Sequence, residues 1–581
     1  MADGLGTQMT PPVDEVVGFL TEVPLFATMS EELRREVVAA SEVLRLPAGT
    51  FLFREGDPGD ALYALWSGRL EVVAADGTQI DVLRRGAAVG ELALLTGDTR
   101  TASVRAVRDS EVVAIGRGPF HRLLREDADF TSALTTVLGH RLAGTVRPTG
   151  RTSGRVLAVV AMTPGVPLDK IAARMVKGVS EWARVGVLHM PDTGALDETE
   201  LGRALDRCER ANDVVVLSAP ADAPFAWRNL CLRQADRALL VVAAHEPPPP
   251  TVRPLLLGCD LAFWGSYPPP ASDSGPWLDQ LRPRARYWLP NSQGSTEGLR
   301  RAARRIFGRS VGVVLSGGGA RALAHVGVIA ALLEAGVQID RFGGSSMGAF
   351  VSALFATGRS AQDVRDVLHR ELARARPFAD YTVPRNALIR SHRGNRMFRR
   401  VFGEVTVEEL PYDWFGVTSD LLTAQTVVHG RGRVRHIVGA SMSLPGLAPP
   451  MPWAGRLLVD GGVLNNLPVD VMAAREEGPV IAVEVMRRWQ QKWEHRRPRR
   501  GAAAGAERPP MPSIVETIAC ATGLGSWRTV DASRGLAALT ITPDLPNIGL
   551  LDWSRLDEAV AEGRRAAREA LERNPAFQTT P

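Results

Sequence analysis

Two serines stand side by side in FGGSSMGAF, residues 342–350, between glycines and ahead of an apolar run. Aligned on Gly344 and Gly348, the pattern Gly-x-Ser-x-Gly selects Ser346. A serine hydroxyl is a weak nucleophile until a base takes its proton and donors hold the oxyanion that its attack on a carbonyl creates. GRSVG at 308–312 matches the same pattern and centres on Ser310. The flanking residues separate the two. Ser310 precedes an apolar strand pattern, VGVVLS, whereas Ser346 falls between the short strand pattern QIDRFGG and the helical MGAFVSALFATG, at the strand-to-helix turn that presents a nucleophile.

Both helpers have candidates. Gly317, Gly318 and Gly319 end the strand VGVVLS at the start of the helical ARALAHVGVIAALLEAG, so their amides can face the crevice beyond the strand, with the positive helix end behind them. For the base, a triad in α/β-hydrolase order requires an acid and then a histidine after the serine. Beyond Asp460 only His495 remains, in an arginine-rich stretch that reads as a loop, and His325 reads as packed on its helix. In LLVDGGVLNNLPVDVM, an apolar strand instead delivers Asp460 to a Gly-Gly turn. Asp-Gly is commonly only a turn, but a carboxylate partly withdrawn from water and bonded to Ser346 could act as the base.

A second constellation lies near the front, in VGELALLTGDTRTASVRA. A cyclic phosphate needs an arginine and helix-start amides, and a ribose hydroxyl needs a carboxylate acceptor. Arg100 and Glu91 can supply these from one loop, with Gly90 allowing a tight turn; a surface ion pair is the plainer alternative.

These residues need several cores to position them, because 581 residues exceed what one hydrophobic core organises. From Thr50 to Ile115 short apolar runs (TFLFREG, ALYALWSGRLEVV, QIDVLRRG, TASVRAV, SEVVAIG) predict an antiparallel β-roll. Helical patterns flank it, with Ser30 as an N-cap before and GPFHRLLREDADFTSALTTVLGHRLAG after. RPTGRTSGR reads as a linker. From Val156 the strands VLAVVAM, VGVLHM, DVVVLSA, ALLVVAA and DLAFWG alternate with helices, predicting a middle α/β, Rossmann-like layer with a parallel sheet. Its TPGVPLDK lacks the Gly-Lys-Ser/Thr end of a P-loop, so the expectation is a scaffold. A second α/β unit opens at Val311. The expected domains are therefore 1–146, 155–300 and 308–577, and Arg496–Pro512 reads as a surface loop.

The net charge is only +5, and just three basic residues are lysines. Arginines gather at 300–309, 390–400 and 487–500, each read first as a solvated face or linker. The last two also carry Met397, Phe398, Trp489 and Trp493, a mixture suited to anionic headgroups at a peripheral membrane surface. No nucleic-acid-binding motif accompanies the charge, so a nucleic-acid partner is not expected. No apolar window approaches the roughly 18 residues of a membrane span, and the start MADGLGTQMTPPVDEV lacks a signal-peptide pattern, which predicts a cytoplasmic protein. Four separated cysteines suggest buried thiols, with neither a disulfide framework nor a zinc cluster.

Taken jointly and in order, LSGGGARALAHVGVIAALLEAG, GGSSMGA, ASMSLPGLAPP and VDGGVLNNLPVDVM resemble the patatin-like phospholipases, and among them bacterial relatives of neuropathy target esterase. The resemblance covers about Val311 to Phe577 and implies an α/β/α patatin-like sandwich with a Ser346–Asp460 dyad. It also implies an oxyanion loop on Gly317 and Gly319, in which Ala322 replaces the family's last glycine. The implied reaction is hydrolysis of carboxylic esters in phospholipids or lysophospholipids, without metal. The front stretch closely resembles the phosphate-binding cassette of cyclic nucleotide-binding domains over about Val17–Arg141, which implies that Gly90, Glu91, Leu92, Arg100 and Thr101 bind cAMP or cGMP as a regulatory ligand. Thr101 is similar to the threonine that accompanies cGMP preference, and the helical region Phe120–Arg141 would move on binding. The alternative left open is a lipid-binding cyclic-nucleotide sensor in which Ala322 has dulled catalysis.

Overall fold

The computed structural model describes residues 7–74, 79–145, 156–189, 198–243, 245–249, 258–265, 271–290, 295–383, 385–486, 517–518, 521 and 524–577. The linker 147–155, the third arginine cluster, His495, Cys520 and the expected loop 496–512 lie outside the described residues, as does most of EPPPPTVRP. The chain forms two compact units, Met1–Tyr267 with Ser272–Arg300, and Pro268–Ala271 with Arg301–Pro581.

In the first unit an antiparallel roll forms from Ser41–Leu46, Phe51–Phe53, Ala61–Val73, Gln79–Leu83, Ala88–Val89 and Ser103–Gly116, with Thr7–Met9 at its edge. Ser30 caps the helix Glu31–Ala39, its hydroxyl accepting from the Leu33 amide at 3.2 Å. The runs TASVRAV and SEVVAIG are one strand, which pairs with Ala61–Val73 through register shifts at Ser67 and Arg69. The unit's second sheet is wholly parallel, in spatial order Arg286–Pro290, Asp260–Gly265, Arg237–Ala243, Val156–Ala161, Val214–Ala219, Val185–Leu188. Its sixth strand, RYWLP, lacks the aliphatic run that reveals the other five. The roll and this sheet meet through charge: Arg69 and Arg108, both buried, reach Asp236 and Glu209. Breaking such a pair leaves an uncompensated buried charge, which is strongly destabilising, so the two layers hold together as one unit.

The second unit holds an eight-stranded mixed sheet. In chain order its elements include β1 (Val311–Leu315), α1 (Ala324–Glu334), β2 (Ile339–Ser345), α2 (Met347–Ala356), α3 (His392–Phe402), β3 (Asp413–Asp420), β4 (Gln425–His429), α4 (Val434–Ser441), β5 (Met451–Trp453), β6 (Arg456–Asp460), β7 (Val480–Val483), β8 (Leu539–Ile541) and α5 (Leu556–Arg573). The strand order is β5-β6-β3-β2-β1-β7-β8, with β4 also on β3. From β3 through β8 the neighbours run parallel, while β4, β5 and β6 pair antiparallel. Alternate residues feed two apolar clusters, Val313 and Leu315 into one and Val314 into the other, as a sheet buried on both faces requires.

The arginine cluster at 300–309 departs from the solvated face expected of it, whereas the arginines at 390–400 are exposed and only the apolar residues among them are not. Arg304 makes a bidentate pair with Asp340 at 2.9 and 2.6 Å, and Arg305 one with Glu477 at 2.7 and 3.1 Å, all four side chains being buried. In α3, Met397 and Phe398 are core residues, and the Phe398 ring packs edge-on against Phe350 at 5.7 Å. They are therefore no membrane anchors. Of the described cysteines, Cys231 is buried, whereas Cys208 and Cys259 are only partly so.

Candidate active site

The turn between β2 and α2 carries Ser346 at φ 53° and ψ −126°, a region that a residue with a side chain occupies at a cost of about 1–3 kcal/mol. The motif's glycines make that turn possible. A Cβ at Gly344 would stand 2.8 Å from the Leu315 carbonyl, and one at Gly348 2.3 Å from it, so strand, turn and helix close on each other only without side chains there. The Ser346 amide donates to the Ser441 hydroxyl at 2.8 Å, and that hydroxyl donates to the Val417 carbonyl at 2.7 Å. Thus the last residue of α4 holds the strained turn in place.

Asp460 arrives through strand register. Ser345 is aligned with Val417 of β3, and Asp460 of β6 with the next residue, Thr418. Residues 114 apart in sequence are thereby set together, and the Ser346 hydroxyl donates to Asp460 Oδ2 at 2.6 Å. The other oxygen, Oδ1, accepts from the Gly462 amide at 2.8 Å. Burial pushes the Asp460 carboxyl up to about 6, against the opposing pull of those two hydrogen bonds. The carboxylate is thus ionised at neutral pH, yet basic enough to take a proton.

Gly317, Gly318 and Gly319 lie between β1 and α1. A Cβ at Gly317 would come within 2.9 Å of the Ser346 Cβ, so its bareness leaves the approach to the hydroxyl open. The Gly317 amide donates to the Asn466 carbonyl at 3.3 Å. Among the described residues, the amides of Gly318 and Gly319 have no hydrogen-bond partner. Gly319 has φ 55°, and a Cβ there would strike the Leu550 carbonyl at 2.2 Å. Ala322 is fully buried in the apolar cluster beside α1, which takes up its methyl group. His325 is buried as well; its Nε2 lies 2.9 Å from the Ser316 carbonyl, and burial pushes its pKa down to about 4. It is a neutral tie beneath the glycine loop. Two neighbours of the dyad were not singled out from sequence: Ser441, whose role rests on a contact 95 residues away, and Asn466, whose Oδ1 faces both Gly317 and Gly462. Both fall within motif stretches, ASMSLPG and DGGVLNN, which was the available signal.

In the roll, Gly90 has φ 95°, and a Cβ there would meet Arg100 Nη1 at 2.5 Å. Arg100 is buried and already engaged: Nη1 donates to the Gly90 carbonyl at 2.9 Å, and Nη2 to Asp60 Oδ1 at 2.7 Å and the Ala61 carbonyl at 2.9 Å. Glu91 is buried at the start of the helix Glu91–Thr96, Leu92 is 44% exposed and Thr101 is exposed. Asp60, which sequence reasoning passed over, is the carboxylate that orients Arg100.

Among known families, the patatin-like phospholipases match residues 313–473 and the cyclic nucleotide-binding domain matches residues 43–127. An uncharacterised NTE family protein of Mycobacterium bovis is 35% identical over 96% of both chains, and one of Mycobacterium tuberculosis matches equally. A lysophospholipase of Aspergillus fumigatus is 28% identical over 81% of this chain and 37% of its own length. With both domains matched and that identity extending along nearly the whole sequence, the chain belongs to the NTE family, joining a cyclic nucleotide-binding domain to a phospholipase-type hydrolase domain.

Proposed function

We propose that the protein is a serine esterase that hydrolyses carboxylic ester bonds of phospholipids or lysophospholipids at a Ser346–Asp460 dyad, under the influence of a cyclic nucleotide bound in the roll. The 2.6 Å hydrogen bond from Ser346 to a buried carboxylate, made at a strained strand-to-helix turn, carries the proposal. The Aspergillus lysophospholipase supports the substrate class. In the first half-reaction Ser346 Oγ attacks the ester carbonyl while Asp460 takes its proton, and the amides of Gly318 and Gly319 receive the oxyanion. Gly317 clears the approach. Asp460 then returns the proton to the departing alcohol, leaving an acyl-enzyme. A water, deprotonated by the same carboxylate, releases the fatty acid. Each oxyanion donor is typically worth about 3 kcal/mol to such a reaction. Helix and strand packing on both faces of the sheet supports the α/β/α sandwich that the family resemblance implies.

At the regulatory site, Arg100 would face the cyclic phosphate, Glu91 the ribose hydroxyl, and Gly90, Leu92 and Thr101 the remainder of cAMP or cGMP. A cytoplasmic protein meeting its lipid at a membrane surface fits the observation that no described helix is long and apolar enough to cross a membrane. The buried fit of Ala322 favours turnover over a sensor with dulled catalysis. The test is a fluorophosphonate probe together with lysophospholipid hydrolysis, with and without cAMP or cGMP. Labelling and hydrolysis that vanish in Ser346→Ala support the esterase, and an unlabelled, inactive wild type overturns it.

A further inference from the structure

Among the described residues of the second unit, large apolar side chains are left in water on segments that connect directly to the backbone around Ser346 and Asp460. β3 passes the dyad at Val417 and Thr418 and turns back into β4 after Asp420. At about 3.3 Å per residue, Leu421 stands roughly 10 Å beyond the dyad. Leu421 is 48% and Leu422 66% exposed at this tip. A second projection carries Tyr381 and Val383, 68% and 81% exposed. It is fastened to the site's own backbone: the amides of Leu388 and Ile389 donate to the carbonyls of Gly446 and Leu447, each at 3.0 Å, and the carbonyl of nearby Ser443 accepts from the Asp460 amide at 2.9 Å. Leu551, 41% exposed, follows Leu550, whose carbonyl accepts from the Ala320 amide at 2.8 Å beside the glycine loop.

Charge gives the rim its partner. Residues 381–402 contain six arginines and no acidic residue. Arg385, Arg390, Arg393 and Arg396 are exposed there. Asp380, whose Oδ2 accepts from the Arg393 amide at 3.1 Å, is the acidic residue just before this run, so leucine, valine and tyrosine tips stand beside a clear excess of cations. That mixture suits the boundary of an anionic bilayer, where each arginine near the surface is worth about 1 kcal/mol and apolar tips add to it. We propose that this rim is a membrane-docking surface: Tyr381, Val383, Leu421 and Leu422 enter the interfacial layer of an anionic phospholipid bilayer, Arg385, Arg390, Arg393 and Arg396 face its headgroups, and the Ser346 crevice opens toward the lipid. The orientation of the crevice rests on the esterase reading above. Docking itself does not. The basic cluster at 390–400 thus keeps its place at the membrane, with Tyr381 and Val383 as anchors instead of the buried Met397 and Phe398.

Flotation of the full chain with phosphatidylcholine vesicles, with and without phosphatidylglycerol, tests the surface. Wild type and Ser346→Ala are expected to float alike with anionic vesicles, and high salt should release them. The double variant Leu421→Asp, Leu422→Asp should lose binding at least about tenfold, since two leucines then no longer leave water. Its ratio of vesicle-lipid to soluble p-nitrophenyl butyrate hydrolysis should fall by a similar factor. Retained flotation in that variant, or a wild type that hydrolyses lysophospholipid micelles yet never floats, overturns the docking surface; the latter result would assign the rim to a protein partner. A wild type that floats but cleaves neither substrate defeats the esterase reading and leaves docking standing.

Discussion

The corner at Ser346 and the corner at Arg100 are built alike and prepared differently. Each sets a buried charged side chain beside glycines whose missing Cβ atoms let groups approach. Asp460, however, receives among the described residues only the Ser346 hydroxyl and one amide, and burial leaves its proton affinity raised. Arg100 has Asp60 and two carbonyls. A base must retain an unmet demand for a proton, whereas a recognition cation can be held in place by a carboxylate and carbonyls through two of its nitrogens, as Arg100 is, its Nε having no partner among the described residues. On the function proposed above, the one corner is prepared for chemistry and the other for exchange of partners.

The largest expected effect tests the first half of that contrast. Asp460→Asn removes the proposed base and should lower kcat/KM for a soluble ester by roughly 10²- to 10⁴-fold; a loss below tenfold would show that Ser346 has another base. Next, Arg100→Ala should weaken cyclic nucleotide binding by roughly 1.5–3 kcal/mol, or about tenfold to a hundredfold by calorimetry. Unchanged affinity would remove Arg100 from the cassette. The raised carboxyl gives a pH signature. Asp460 acts only when ionised, so kcat/KM should be flat at neutral pH and fall about tenfold per unit below about pH 6, and an acid limb displaced to pH 4 would contradict the effect of burial. Ser441→Ala removes the hydroxyl that holds the Ser346 amide and should cost about 1 kcal/mol of stability and reduce kcat several-fold. Finally, Ser346→Gly relieves the φ of 53° and should raise the unfolding free energy by about 1 kcal/mol while abolishing hydrolysis.

Much of this was legible in the chain because glycine spacing and strand-to-helix punctuation are local. Gly-x-Ser-x-Gly placed Ser346 at its turn, short alternating apolar runs marked the roll, and continuous apolar runs marked five of the six parallel strands. What escaped was set by distant partners. Arg304 and Arg305 read as a solvated face because Asp340 and Glu477 lie 36 and 172 residues further on. Met397 and Phe398 sat among arginines, and only the helix α3 shows that the two kinds of side chain take opposite faces. Ser441 and Asp60 look like any polar residue until the groups that they hold are in place.

Because Ser345, which precedes the proposed nucleophile, and Asp460, its proposed base, are aligned on consecutive residues of β3, the Ser346–Asp460 contact exists only once three strands from separate parts of the sequence have zipped into register. On the esterase reading, a nascent chain emerging as far as Ser346 carries no stray activity toward the lipids around it. Regain of hydrolysis after denaturation would, by the same token, time the closing of that sheet.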